Sequence, residues 1–340
     1  MKEIKTEDAV GQVLCHDLTQ IIKGVTKDAR FRKGHIVQAE DIPVLLSMGK
    51  ENLFVFEAQS GFIHEDEAAL RLCAICKGEN MQNKDIKEGK IELFADCDGL
   101  FCYDDKELYA LNDIGQISIA ARGNYFPVKK GDKLAGMRVI PLMIDEKELE
   151  TAENICKSEP LFKVLPYNEK RFGVVATGSE IAKKRIEDTF SPVVIEKLKE
   201  FGGECIGVTQ PGDERDVIAA DINAFFAKGA DLVLCTGGMS VDPDDRTPAA
   251  IRAAGAEIIS YGAPVLPGAM FLVSYLNGKP VLGLPGCVMF AKRTVLDLVL
   301  PRVFANLPVT KADLTKMGAG GLCLNCECCH FPNCGFGRSM

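Results

Sequence analysis

A glycine-rich loop followed by acidic residues is the part of this chain best equipped for chemistry. The loop spans residues 236–248 and contains Gly237, Gly238, Asp244 and Asp245. Paired glycines let backbone amides approach a ligand closely, and free amides in such a loop or at a helix start bind anions. Two carboxylates beside an anion site suit a divalent cation. These residues therefore predict a site for a nucleotide or another phosphorylated compound, with a tight turn carrying solvated aspartates as the alternative.

The elements around that loop decide how it is presented. An apolar run at residues 230–235 predicts a buried strand before it. Thr247 and Pro248 predict a helix after it, with the threonine hydroxyl as N-cap and the proline in the first turn. Two more glycine loops follow strand-like runs, at residues 177–180 and 285–287. The carboxyl ends of parallel strands share one edge of a sheet, so we expect the three loops to line one pocket.

Strand and helix patterns alternate regularly from residue 170 to about 305, and a closing helix is predicted over 288–304. This alternation indicates an α/β fold with a mainly parallel sheet flanked by helices. Shorter strand-like runs and turns before it predict a β-rich α+β region. The predicted organisation is an N-terminal accessory region at 1–150, a linker at 151–169, the α/β domain at 170–308 and a cysteine-rich tail at 309–340.

Charge and hydropathy exclude several classes of protein. The formal net charge is -8, which argues against a general nucleic-acid binder, since such a protein needs a basic face. No segment reaches the ~18 consecutive apolar residues of a membrane span. The first residues lack an apolar signal core, so we expect a cytoplasmic protein. Its 14 cysteines are then not expected to form disulfides. The basic runs 183–185 and 292–293 are candidates for contacting an anionic ligand.

The tail is the second concentration of reactive side chains. Its five cysteines lie within twelve residues of one another, beside His330 and after a glycine run at 318–321 that predicts a flexible tether: Cys323, Cys326, Cys328, Cys329 and Cys334. This density of thiols is typical of metal ligands, and it does not distinguish zinc from an iron–sulfur cluster. A disordered, redox-labile tail is the alternative. A separate pair, Cys73 and Cys76, lies on a predicted helix, where core packing is the favoured interpretation.

The three glycine loops together resemble the molybdopterin-binding domain. The segments that carry the resemblance are Thr177-Gly178-Ser179-Glu180, Thr236-Gly237-Gly238 with Asp245-Arg246-Thr247-Pro248, and Leu284-Pro285-Gly286. They occur in the order and at the spacing of that domain, which molybdopterin adenylyltransferases, molybdopterin molybdenumtransferases and gephyrin share. The resemblance covers about residues 170–305. It implies a protein of molybdenum cofactor biosynthesis.

The resemblance also implies a set of site residues and ligands. Positions implied to bind the cofactor are Thr177, Gly178, Ser179, Glu180, Asp188, Gly237, Gly238, Ser240, Pro285 and Gly286. Asp245 is implied to support Mg²⁺-dependent adenylyl or molybdate transfer, and Asp244 is a second candidate for placing the metal. The implied partners are molybdopterin or its adenylylated form, ATP, molybdate, a recipient molybdoenzyme and further copies of this chain.

Two departures from that family keep another reading open. Cys287 and Val288 stand where the family commonly has Asn or Ser and then Pro. A binding protein without turnover, acting as a carrier, chaperone or sensor of the cofactor, is therefore the competing hypothesis. A generic nucleotide-binding α/β domain is a third.

Overall fold

The computed structural model describes residues 2–55, 60–240, 242 and 245–338. The chain divides into two compact units. The N-terminal unit comprises Met1–Asp96, Tyr103–Arg122 and Gly131–Lys163, and the C-terminal unit comprises Cys97–Cys102, Gly123–Lys130 and Val164–Met340. Within the described ranges no helix has the length and hydropathy needed to span a bilayer.

Short strands and four helices make up the chain as far as residue 166. In chain order they are β1 Lys2–Lys5, β2 Leu18–Ile22, β3 Thr26–Phe31, α1 Asp41–Ser47, β4 Asn52–Val55, β5 Phe62–His64, α2 Glu65–Cys76, β6 Met81–Asn83, β7 Lys90–Ala95, β8 Gly99–Tyr103, α3 Asp105–Asp113, β9 Ile117–Ala121, β10 Phe126–Val128, β11 Lys133–Val139, β12 Met143–Asp145, α4 Glu146–Ile155 and β13 Phe162–Pro166. The predicted linker at 151–169 thus contains the end of α4 and all of β13. The division at residues 150, 169 and 308 stays a prediction.

Antiparallel pairing dominates this part of the chain. The sheets are the pairs β1-β4, β2-β3 and β5-β12, the four-stranded sheet β6-β7-β11-β9 and the three-stranded sheet β10-β8-β13. Helix α2 buries one apolar face, which includes Leu72, Cys73 and Cys76. The thiol of Cys76 is fully buried, and that burial raises its pKa. The β-rich α+β region is therefore confirmed, and the two cysteines of α2 are packing residues.

The rest of the C-terminal unit is built on one six-stranded sheet. Its elements are β14 Lys170–Ala176, α5 Ser179–Ala182, α6 Phe190–Lys199, β15 Gly203–Thr209, α7 Arg215–Ala227, β16 Leu232–Thr236, α8 Thr247–Ala253, β17 Glu257–Tyr261, β18 Leu272–Leu276, β19 Lys279–Leu284, α9 Cys287–Phe290, α10 Val295–Phe304 and α11 Lys311–Lys316. The strand order is β15-β14-β16-β19-β18-β17. Strands β15, β14, β16 and β19 pair in parallel, and β18 runs antiparallel to both of its neighbours. This confirms the predicted mainly parallel α/β sheet.

Alternate residues of the central strands build two apolar cores, one on each face of the sheet. On one face Val174 and Leu234 pack with residues of α6 and α10. On the other face Val175 and Val233 pack with residues of α7 and α8. Helices cover the central strands on both faces, so neither face of the sheet is exposed to solvent. Each face therefore has its own apolar core.

The parallel strands end level with one another. Ala176 of β14 pairs with Thr236 of β16, and Thr236 lies opposite Leu284 of β19. The chain leaves β14 towards β15 on one side and then crosses to β16 on the other side. A parallel sheet opens a crevice at such a reversal of strand order, at the carboxyl ends of the strands. The loops that follow β14 and β16 therefore border the crevice.

A tight hairpin joins β18 to β19 at the end of the sheet opposite the carboxyl ends of the parallel strands. Asn277 and Gly278 have φ angles of 51° and 79°, and Leu276 pairs with Lys279. Positive φ at both central residues is the geometry of a type I′ turn, for which Asn-Gly is the favoured sequence. A Cβ placed on Gly278 would meet nothing within 4 Å.

The predicted closing helix over 288–304 is wrong in one respect, because it is broken into α9 and α10. Thr294 begins α10 with a capping box in which Asp297 accepts the Thr294 amide at 2.8 Å. Asp297 also accepts a hydrogen bond from Lys197 Nζ at 2.7 Å and one from Arg293 at 2.8 Å. The 3% exposure of Asp297 makes this ion-pair cluster a buried anchor between α6 and α10.

The tail is docked on the C-terminal unit, which corrects the prediction of a flexible glycine tether. Leu266 donates its amide to the Gly321 carbonyl and accepts from the Cys323 amide, each at 2.8 Å. A Cβ on Gly320 would collide with the backbone of Arg338. A Cβ on Gly321 would likewise lie 2.5 Å from the carbonyl oxygens of Met317 and Pro264, so close backbone packing requires glycine at both positions.

Candidate functional site

The three predicted loops lie at one edge of the sheet, after β14, β16 and β19. Their convergence follows from the level ends of those three parallel strands. A fourth loop, residues 210–214, follows β15 at the same edge. The site is thus built from the turns that border the crevice, with the positions of the turns set by the packed strands beneath them.

Two buried threonines join the first loop to the second. Thr177 Oγ1 donates to the Thr236 carbonyl at 2.9 Å and lies 3.1 Å from Thr247 Oγ1. The hydroxyl of Thr247 donates to the Gly237 carbonyl at 2.9 Å. The predicted N-cap role of Thr247 is therefore wrong, because Thr247 is the first residue of α8 and its hydroxyl holds the glycine loop instead.

The two glycines of the second loop have no room for a side chain. Gly237 and Gly238 have φ angles of 82° and 57°, a region that L-residues with a Cβ rarely adopt. A Cβ on Gly237 would lie 2.6 Å from the carbonyl oxygen of Thr177, and one on Gly238 would lie 2.6 Å from Thr247 Oγ1. Both residues must be glycine for the loop to close against the threonines.

This loop geometry leaves several backbone amides of the second loop without a hydrogen-bond acceptor among the described residues. Within the part of the chain that the structure describes, the amides of Gly237, Gly238, Met239 and Ser240 donate no hydrogen bond to another residue. Consecutive amides in left-handed turns form concave sites that bind anions. Among the described residues that border the crevice, this segment is the strongest candidate for an anion site.

The amides of the first loop are used differently. Asp213 accepts the Ser179 amide at 2.7 Å, and Gly178 donates to the Gly212 carbonyl at 3.4 Å. These bonds tie the first loop to the loop that follows β15. The Ser179 amide is therefore already bonded within the protein, and Glu180 lies exposed in the short helix α5.

Two hydrogen bonds between Asp242 and Asp245 close the acidic end of the second loop into a turn. Asp245 Oδ2 accepts the Asp242 amide at 3.0 Å, and the Asp245 amide donates to the Asp242 carbonyl at 3.0 Å. One carboxylate oxygen of Asp245 thus shapes the loop, and the partly exposed side chain leaves the other oxygen for a ligand. The second predicted catalytic residue, Asp244, lies outside the described residues.

Asp188 is placed beside a cavity at the same edge. Its Oδ1 accepts the amides of Phe190 at 3.1 Å and Ser191 at 2.9 Å, which caps the start of α6. The cavity has a volume of about 390 Å³, and Lys184 and Arg185 contribute to its lining with Asp188. The basic run at 183–185 therefore stays a candidate for contacting an anion.

The third loop contributes Pro285 and Gly286. Pro285 is buried, Gly286 is exposed, and a Cβ on Gly286 would meet nothing within 4 Å. Cys287, the first residue of α9, is partly buried, and its burial raises the pKa of the thiol. This is consistent with a packing role for Cys287.

The second basic candidate, residues 292–293, forms its ion pairs and hydrogen bonds with other residues of the chain. Arg293 pairs with Asp297 and lies 3.7 Å from Glu200, and Lys292 Nζ donates to the Glu327 carbonyl at 3.0 Å. The interpretation of residues 292–293 as ligand contacts is therefore not supported by their geometry.

Comparison with known proteins identifies the domain that carries these loops. Residues 173–305 match a family model described as a probable molybdopterin binding domain. Residues 173–305 belong to the molybdopterin-binding domain family. Residues 3–57 match a domain of unknown function (DUF8806).

Known proteins with a similar sequence or structure match part of this chain. A CinA-like protein of Mycobacterium sp. (strain MCS) is 36% identical over 90 residues, which are 26% of this chain and 21% of that protein. The chain thus spans about a fifth of the length of the curated relatives it matches. The molybdopterin biosynthesis enzyme MoaB of Thermus thermophilus is 21% identical, over 39% of this chain and 91% of that chain, with a TM-score of 0.33. The tungsten cofactor synthesizing protein MoaB of Pyrococcus furiosus is also 21% identical, over 40% and 94%, with a TM-score of 0.33.

The tail cysteines that follow the molybdopterin-binding domain do not converge. Among the residues described, no three side chains of His, Cys, Asp or Glu lie together as metal ligands. Cys323 and Cys334 pack against the apolar core, whereas Cys326, Cys328 and Cys329 are exposed. This arrangement does not fit a preformed zinc or iron–sulfur site.

Thiol labelling will separate these two classes of cysteine. We expect an alkylating reagent to modify Cys326, Cys328 and Cys329 of the native protein within minutes at neutral pH. Cys235 will react only on unfolding, because complete burial raises its pKa to about 12 and blocks access. Mass spectrometry of quenched digests checks the order. Protection of all three thiols in native protein that is fully reduced and treated with a chelator would contradict the exposed arrangement.

Proposed function

We propose that the molybdopterin-binding domain binds the terminal phosphate of molybdopterin, or of its adenylylated form, in molybdenum cofactor biosynthesis. The observation that carries this proposal is the run of unused amides at residues 237–240, beside the crevice between β14 and β16. An anion fits there because the amides carry partial positive charge, and the fixed loop needs no reorganisation to receive it. The family match names the class of ligand.

We further propose that the domain is a transferase that carries out Mg²⁺-dependent adenylyl or molybdate transfer, with Asp245 as the residue that supports the metal. Mg²⁺ is commonly held by one or two carboxylates together with substrate phosphates and water. The open oxygen of Asp245 at the end of the anion loop fits that donor set. When bound, the ion would neutralise charge that develops on the phosphate. The other candidate, Asp244, would act from the same loop.

The residues of the chain have distinct parts in this proposal. The amides of residues 237–240 bind the phosphate oxygens and orient them. Thr177 and Thr247 hold the loop rigid from below through their buried hydroxyls. Pro285 and Gly286 limit the third side of the crevice, and the exposed Gly286, which carries no side chain, leaves room for the pterin. The hydroxyls of Ser179 and Ser240 add polar contacts.

Binding and turnover assays with purified molybdopterin test the proposal. We expect wild-type protein to bind molybdopterin or its adenylylated form. We expect it either to adenylylate molybdopterin with ATP and Mg²⁺, releasing pyrophosphate, or to insert molybdate into the adenylylated form, releasing AMP. Binding without either conversion would remove the transferase proposal and leave the binding proposal. Absence of binding to both molybdopterin and its adenylylated form would remove both.

Asp245→Asn is expected to lower turnover by at least about 100-fold, since loss of groups that merely orient metal ligands already costs ~10–100-fold. The amide can still accept the Asp242 amide, so binding of molybdopterin should change by less than about threefold. Asp216→Asn is the control, because Asp216 lies in the first turn of α7, is 79% exposed and pairs with Arg215. Full turnover by Asp245→Asn would contradict the assigned role.

A carrier, chaperone or sensor of the cofactor is the second candidate function. Cys287 favours it, because a partly buried thiol that packs in α9 replaces a polar side chain of the family at the third loop. The exposed tail thiols offer a surface for a recipient molybdoenzyme or for zinc or iron–sulfur binding after rearrangement. Metal analysis of anaerobically purified protein, together with its mass in solution, tests the tail metal and the proposed homo-oligomer.

A further inference from the structure

The hydroxyl of Tyr261 reaches the anion loop from the far edge of the sheet. Tyr261 is the last residue of β17, which is separated from β16 by β19 and β18. Its hydroxyl lies 2.9 Å from the Met239 carbonyl and 3.3 Å from the Ser240 carbonyl. The single hydroxyl proton of Tyr261 is therefore shared between the carbonyls of two consecutive residues of the loop, with the shorter bond to Met239.

A second contact fixes the same part of the loop from below. The side chain of Met239 is 4% exposed and packs on β19. A Cβ on Gly283 of β19 would lie 2.7 Å from the Met239 sulfur, so the strand has room for this side chain only because Gly283 is glycine. Met239 is thus held at its side chain by the sheet and at its carbonyl by Tyr261.

The direction of a carbonyl sets the direction of the next amide. In a trans peptide the C=O of one residue and the N–H of the following residue point in opposite directions. The Met239 carbonyl and the Ser240 amide share a peptide plane, so the bond to Tyr261 turns the Ser240 amide away from β17. That amide is one of the four that donate to no other residue in the described chain.

We propose that Tyr261 is a positioning residue for the phosphate site: its hydroxyl holds the Met239 and Ser240 carbonyls and so keeps the Ser240 amide facing the ligand. The inference rests on the proposed function in taking a phosphate as the ligand. It adds a residue outside the three glycine loops. The ring of Tyr261 is 43% exposed, so replacing it by phenylalanine removes the hydroxyl and keeps the packing.

The protonation state of Tyr261 suits this role. Burial and then the negative charge of Asp245 raise the pKa of its hydroxyl above the usual value. The hydroxyl therefore remains a donor throughout the neutral range, and it is lost only as the pH rises through the raised pKa. The carbonyl bonds should fail in that alkaline range.

Tyr261→Phe tests the inference through the affinity for purified molybdopterin. We expect the dissociation constant to rise about fivefold, which corresponds to the net value of roughly 1 kcal/mol for a hydrogen bond. We also expect trypsin to cleave faster after the exposed Arg246 in the same loop. Wild-type protein should lose affinity at alkaline pH through ionisation of this tyrosine, and the variant should lack that part of the loss.

Tyr275→Phe is the matched control. The hydroxyl of Tyr275 also bonds one backbone group, since it accepts the Val309 amide at 2.7 Å. Tyr275 pairs with Glu257 and Pro280 at the amino-terminal ends of β17 and β19, away from the loops. We expect its loss to lower the unfolding midpoint and to leave the affinity and its pH profile unchanged.

The outcomes distinguish this inference from the function on which it rests. Equal affinity of wild-type and Tyr261→Phe protein would overturn the positioning role, even if both bind tightly. An equal fall in affinity for Tyr275→Phe would overturn it as well, because it would indicate a general loss of stability. If wild-type protein binds no molybdopterin, the proposed function fails, and an unchanged cleavage rate after Arg246 in Tyr261→Phe would then overturn the loop-holding role independently.

Discussion

Gly238→Ala will lower the affinity for molybdopterin by at least about 100-fold and the free energy of unfolding by about 2–4 kcal/mol. Its Cβ would lie 2.6 Å from Thr247 Oγ1 and 3.2 Å from Thr177 Oγ1, at a φ of 57°. Either the loop lifts off the two threonines or their hydrogen bonds break, and both changes move the amides that face the ligand. Calorimetric titration and urea unfolding measure the two effects.

Gly286→Ala provides the control for this substitution. Gly286 has an ordinary helical φ of -54°, and a Cβ there would meet nothing within 4 Å. Alanine at such a position is expected to be neutral or to stabilise by about 0.4–1 kcal/mol, because it restricts the unfolded chain. Gly286→Ala serves as the control for stability, and wild-type protein is the reference for binding. A Gly238→Ala protein that binds as tightly as wild-type protein would show that the anion loop does not form the site.

Asp297→Asn should destabilise the C-terminal unit by about 3 kcal/mol without any contact to the ligand. The substitution keeps the shape of the side chain but removes the negative charge that pairs with Lys197 and Arg293. A buried cation that loses its partner costs about 3–5 kcal/mol, and the remaining bond of Lys197 Nζ to the Lys292 carbonyl places the result near the lower end. Urea unfolding of the full chain measures the loss.

The matched charge removal is Glu196→Gln. Glu196 pairs with Lys199 at 2.9 Å, but the two side chains are 73% and 56% exposed. Exposed pairs contribute roughly 0–1 kcal/mol, so we expect a change below about 0.5 kcal/mol. Similar losses for Asp297→Asn and Glu196→Gln would mean that burial does not strengthen the α6–α10 anchor.

The α/β sheet and its three glycine loops could be predicted because local signals encode them. Apolar runs that end in glycine, such as residues 230–238, mark both the strand and the turn after it. Parallel strands then place successive turns at one edge, so Thr177, Gly237 and Gly286 could be assigned to one site without knowledge of long-range contacts. Ala176 pairs with Thr236 and Thr236 with Leu284, so the three strands end at the same level and their loops begin side by side.

The sequence pattern could not predict which side chains bond to loops that are distant in the sequence. Thr247 stands before a proline, as an N-cap would, and only the nearby Thr177 reveals that its hydroxyl bonds to the loop instead. Tyr261 precedes a glycine at the end of a strand and carries no local signal of its partners, which lie 21 and 22 residues away. The signal that could have found it is a polar aromatic residue at the carboxyl end of a strand, in a sheet whose other strands end at the loops of the candidate site.

The tail and the closing helix were mispredicted for the same physical reason. A glycine run is equally compatible with a flexible tether and with close backbone packing, and the packing partner of Gly320 is the distant Arg338. An apolar helical pattern likewise continues through residues 291–294, although Thr294 and Asp297 start a new helix there. The sequence motif Thr-x-x-Asp is a capping-box variant and was the available signal for that start.

The Asn277-Gly278 hairpin is a suitable position for attaching a label to this protein. Gly278 has open space around it, and the turn lies at the end of the sheet opposite the glycine loops. A fluorophore, a biotin group or a short affinity peptide inserted there would leave the crevice accessible, so that immobilised protein could be assayed for ligand capture on a sensor surface.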